Sequence, residues 1–104
     1  MMRQRKTKDA VEILRHDMGS DPAFRAQVEE EKLNARVAQL IYDARTSAGL
    51  TQHALAEMIG TTQSVIARLE DADYEGHSLT TLQRIAEALG KRLSVSFKGL
   101  EEAS

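Results

Sequence analysis

Apolar residues recur at helical spacing along most of this chain and at alternate positions only near its end. Val11, Leu14 and Met18 make one stripe, which predicts a short helix over 8–18 stopped at Gly19. Asp21 followed by Pro22 reads as a restart, with an N-cap and then a proline at the first helical position, where a missing amide proton costs nothing. A long helix follows. Phe24 and Val28 form one pair, the main stripe is Leu33, Val37, Leu40, Ile41, Ala44 and Ala48, and the phase shifts after Glu31. Its two halves are therefore expected to face different partners. Gly49 closes this helix and Thr51 caps the next, whose apolar face is Leu55, Ala56 and Ile59 and whose end is Gly60. Thr61 or Thr62 caps another, with Val65 or Ile66 and Leu69 turned inward. After an acidic loop, Asp71 to His77, Ser78 caps a helix carrying Leu79, Leu82, Ile85, Ala86 and Leu89, stopped by Gly90. Leu93, Val95 and Phe97 then alternate with Ser94, Ser96 and Lys98, the period of a strand. The expectation is an all-α protein of five helices with a short C-terminal β-strand, which needs a partner because one strand is not stable alone.

With 104 residues the chain has room for one core and a short appendage, and with 4% aromatics that core is built from Leu, Ile, Val and Ala. It contains no cysteine, which removes disulfides, thiolate metal sites and cysteine nucleophiles. The basic start at Arg3, Arg5, Lys6 and Lys8 leads into an amphipathic stretch and not an apolar one, so neither an export signal nor a membrane span is expected, and the location is expected to be cytoplasmic. The net charge is −2, but its distribution says more. Residues 1–8 carry four positive charges and no negative one; residues 9–35 carry three positive against seven negative; residues 36–70 balance at three against three. A reading surface within 36–70 is neutral, and a single copy would gain little from counterion release. A second copy or the basic tail has to contribute.

The stretch Gln52 to Asp71 meets the steric demands of two helices crossing at a tight turn. Ala56 is small where the helices approach, Gly60 can take the positive φ of the turn, and Leu55, Ile59, Ile66 and Leu69 supply the shared core. Thr62, Gln63, Ser64 and Arg68 are left on the outer face of the second helix, and these are side chains that read base edges and phosphates in a major groove. Two ordinary core helices would not require the small residue, the glycine and the apolar positions to coincide.

At these residues the chain resembles the phage-repressor-like, or XRE, helix-turn-helix family, through AGLTQ at 48–52, IGTTQSVIARLE at 59–70 and LQRIAEALG at 82–90. The resemblance covers roughly 36–90 and implies a five-helix DNA-binding domain there; outside it the chain reads as an N-terminal helical extension over 1–35 and a strand and tail over 91–104, whose unpartnered edge makes it the candidate dimerisation element. It implies that Gln63 contacts a base, that Ser64 and Arg68 contact bases or nearby phosphates, and that Thr51, Gln52 and Thr62 complete the DNA-binding set. On the DNA, Gln63 is expected to read one base edge and Gln52 to hold a phosphate. The family also pairs an arginine and a glutamate at the positions of Arg45 and Glu70. One departure is the loop at Asp71 to His77, where phage repressors carry basic residues and this chain has Asp71, Asp73 and Glu75.

The flanking sequence, DPAFRAQVEEEKLNARVAQLIYDAR before the motif with DADYEGHSL and RLSVSF after it, is similar to that of HigA-type antitoxins. This implies a repressor of its own operon that neutralises a RelE-like, ribosome-dependent mRNA endonuclease toxin, gripping it through residues 1–35. The expected partners are a palindromic double-stranded DNA operator, that toxin, and a second copy in a homodimer. A stand-alone regulator without a toxin and a protein-interaction module that no longer binds DNA are the alternatives. His16, His53 and His77 lack ligand spacing and read as surface residues, and Asp71, Asp73 and Glu75 lack the rest of a calcium loop. No metal, cofactor or catalytic activity is expected.

Overall fold

The protein is described from a computed structural model covering residues 21–100. The helix predicted over 8–18, the basic start and His16 lie outside the described residues. Within them are four helices, α1 (Pro22–Ser47), α2 (Gln52–Ile59), α3 (Gln63–Leu69) and α4 (Leu79–Ala88). None is long and apolar enough to cross a membrane.

Each helix starts where a side-chain oxygen takes an orphan amide. Asp21 caps α1 through Ala23 N with Pro22 in the first turn, and Thr51, Thr62 and Ser78 accept from Ala54, Val65 and Thr81. Such a cap contributes typically about 1 kcal/mol. Gly60, at φ +78°, ends α2 and sends the chain into α3 through Thr61 and Thr62. A non-glycine residue there would be strained.

The core is Ile41, Leu55, Ala56, Ile66, Leu69 and Ile85, joined at its edge by Val37, Ile59, Val65, Tyr74, Leu82 and Leu89. Ala56 is 1% exposed and lies within the core cluster, so a small side chain is wholly buried on α2. The C-terminal half of α1 meets this core through Ile41, with Val37 at the edge, and Ala38 and Arg45 are buried on the same half. Leu33 and Leu40, on the main apolar stripe, are each 56% exposed, because the row they share with Val37 and Ala44 runs along the flank of the buried face.

The stretch predicted as a strand, Leu93 to Phe97, takes no strand assignment and has no pairing partner among the described residues. A strand exists by its ladder, and no second strand is described here to supply one. The loop Asp71 to His77 also departs from expectation. Tyr74 packs on the core, its ring meets His77 edge-on at 5.0 Å, and His77 Nε2 lies 2.7 Å from the Leu69 carbonyl. His77 is therefore not a surface residue but a half-buried cap on the last turn of α3. A Cβ on Gly76 would fall 2.7 Å from Tyr74 Cζ, so only glycine lets this ring lie down.

Candidate nucleic-acid interface

Successive α3 side chains step 100° around the axis, so Ile66 and Leu69 face the core and Gln63, Ser64 and Arg68 face outward. The helix-turn-helix pair α2–α3 thus presents the expected polar face. Thr51 and Thr62 spend their oxygen lone pairs on capping, at 3.0 and 3.3 Å from Ala54 N and Val65 N. A hydroxyl that accepts in a cap keeps its proton as a donor; Thr62 Oγ1 also lies 3.3 Å from Ser64 Oγ, a contact in which either hydroxyl can donate.

Behind this face stands a buried ion pair. Arg45 Nε lies 2.6 Å from Glu70 Oε2 and its Nη2 lies 3.0 Å from Glu70 Oε1, while Nη1 donates to the Leu50 carbonyl at 2.8 Å. One guanidinium thus joins the end of α1, the turn before α2 and the end of α3. The two side chains are only 9% and 5% exposed. Its hydrogen bonds to Glu70 hold Arg45 above its ordinary pKa, against the opposing effect of burial. A carboxylate at a helix C-terminus is unfavourably placed in the helix dipole, and the bidentate arginine offsets that.

Glu70 Oε1 also accepts from Gln52 Nε2 at 3.0 Å, and Gln52 Oε1 accepts from Gln63 Nε2 at 2.6 Å. A chain of hydrogen bonds runs from the buried arginine to the outward glutamine: Arg45, Glu70, Gln52, Gln63. The expected separation of a phosphate-holding Gln52 from a base-reading Gln63 has to accommodate this shared bond. Sequence reasoning set the Arg45–Glu70 pair by resemblance but had no means of seeing the two amides meet. His53, beside Gln52, instead pairs with Glu57 one turn on, at 3.2 Å and fully at the surface.

The helix-turn-helix family model HTH_3 matches residues 41–95, and the chain belongs to this family. It is similar to a protein named as an uncharacterised HTH-type transcriptional regulator in Rickettsia prowazekii, 36% identical over 71% of this chain and 56% of that protein. One of the same description from Rickettsia conorii is 35% identical over 71% of this chain and 58% of its own length. A third, from Methanothermobacter thermautotrophicus, is 46% identical over 50% of this chain and 74% of that protein. The chain spans less than two thirds of the length of the two Rickettsia relatives. No solved structure matches it significantly.

Proposed function

We propose that this protein is a sequence-specific repressor whose α3 enters the major groove of a palindromic operator, one copy per half-site. The observation that carries the reading is the held outward amide of Gln63, flanked by Ser64 and Arg68 on a helix whose opposite side is core. The relatives' names as transcriptional regulators support it. Gln63 reads a base edge, while Thr51, Gln52 and Thr62 approach phosphates. An operator selected from random duplex DNA, followed by anisotropy titration of each single-base variant at fixed salt, tests this. Gln63→Ala should cost about 1–3 kcal/mol at one operator position and abolish the preference there. An even loss across all variants would refute α3 as the reading element.

The finer role we propose is that of an antitoxin repressing its own operon and neutralising a RelE-like toxin. Its support is the resemblance of the flanking sequence together with the N-terminal half of α1. There Glu29, Glu30 and Glu31 are exposed beside Leu33, a surface suited to a basic protein with an apolar contact. Affinity purification from the native host should bring down a small basic protein at stoichiometric yield. Recovery of the repressor alone would leave the stand-alone regulator as the correct reading.

A further inference from the structure

We infer that Glu70, buried and hydrogen-bonded to Gln52, selects the base that Gln63 accepts, by fixing the direction of two amides. The inference rests on the reading of Gln63 as the base-contacting residue. An ionised carboxylate only accepts hydrogen bonds, so Gln52, 3.0 Å from Glu70, must turn its Nε2 toward it. The carbonyl of Gln52 then faces Gln63, which must answer with an N–H at 2.6 Å. This assignment follows from chemistry and leaves no freedom to flip either amide.

Counting what remains on Gln63 gives the selectivity. An amide has two N–H donors and one carbonyl; with one N–H held by Gln52, one donor and one acceptor are left. Adenine offers N7 as acceptor and N6–H as donor in the major groove, which matches. Guanine offers two acceptors, N7 and O6, and needs both N–H groups. With Glu70 in place, guanine is served only by breaking the bond to Gln52. If residue 70 were an amide it would accept as readily as donate, and Gln52 would be free to turn. Gln63 would then meet the turned amide with its carbonyl and present two N–H donors outward, the pattern that guanine wants. Glu70 is a positioning residue: it acts through Gln52 and touches no base.

The test uses the full chain and the selected operator, at the position whose preference Gln63→Ala removes. The readout is the ratio of affinities for adenine and guanine there, which a merely structural role leaves unchanged. The wild type should favour adenine by about tenfold or more, and Glu70→Gln should lower that ratio at least about fivefold. Gln52→Met, on a half-exposed position outside the ion pair, frees both donors of Gln63 and should lower it likewise. If circular dichroism shows Glu70→Gln unfolded, Glu70→Gln combined with Arg45→Met, which removes the charge left without a partner, supplies the test of residue 70. A ratio kept within about twofold in the folded variants, even with weaker binding overall, overturns the inference while leaving Gln63 as the reader. If Gln63→Ala removes no preference at any position, the reading of Gln63 fails and this inference with it.

Discussion

At the scale of single residues, one buried pair carries both stability and site geometry. Arg45 and Glu70 are almost wholly withdrawn from water, and each satisfies the other bidentately. Removing one partner leaves a charge in the core, whereas replacing both with apolar side chains removes the desolvation cost along with the attraction. Glu70→Ala should therefore lower the unfolding free energy by about 3–5 kcal/mol, and Arg45→Met with Glu70→Leu should recover at least half of that. Urea unfolding of the three proteins measures it; a double variant no more stable than the single one would mean that the pair's worth lies in its bonds to Leu50 and Gln52. Resemblance made this pair legible in the sequence, since 25 residues separate its members and no periodicity links them. The Gln52–Gln63 bond was not legible, because it depends on how closely α2 and α3 cross.

At the scale of elements, the chain's punctuation is local and could be read directly. Asp21, Thr51 and Ser78 cap the helices they were expected to cap, and of the two candidates Thr61 and Thr62 the second caps α3, because a cap needs only an oxygen and an amide two or three residues on. Gly60 is legible for the same reason. Nothing lies within 4 Å of a Cβ built on it, so the cost of a side chain there is backbone strain alone. Gly60→Ala should cost about 1–2 kcal/mol, and each kcal/mol lowers the melting temperature of a domain this size by roughly 4–8 °C. Gly60→Asn, which tolerates a left-handed backbone, should lose less by calorimetry; equal losses would place the cost elsewhere. Gly76→Ala poses the opposite case, with its penalty in the Tyr74 ring, and no periodicity in a loop announces such a contact. An apolar stripe was legible on α1, but a stripe gives a period and not the direction of its partner, so the exposure of Leu33 and Leu40 on it could not be read.

At the scale of the whole molecule, the described chain leaves its last segment without a partner. Val95, Phe97 and Leu100 are 69%, 103% and 89% exposed, and none of them belongs to the core or to the residues packed against it. The order Leu93, Ser94, Val95, Ser96, Phe97 reads the same by type in both directions about Val95. An antiparallel pair of identical strands related by a two-fold axis requires that symmetry: Leu93 then opposes Phe97 of the second copy, and Val95 opposes its own copy. Arg92 and Lys98 would face each other at the two ends, which limits the ladder to the five central residues. The same axis would present two copies of α3 to a palindrome and double the few positive charges that one neutral reading face brings to DNA. A chain ending at Gly90 should therefore sediment as a monomer, fold with the four described helices, and lose operator affinity. Lys substitution of Val95 in the full chain should have the same effect by placing like charges opposite each other on the two-fold axis. Sedimentation equilibrium at micromolar concentration decides it: a shortened chain that remains a dimer would move the contact elsewhere, with the exposed flank of α1 at Leu33 and Leu40 as the next surface to test.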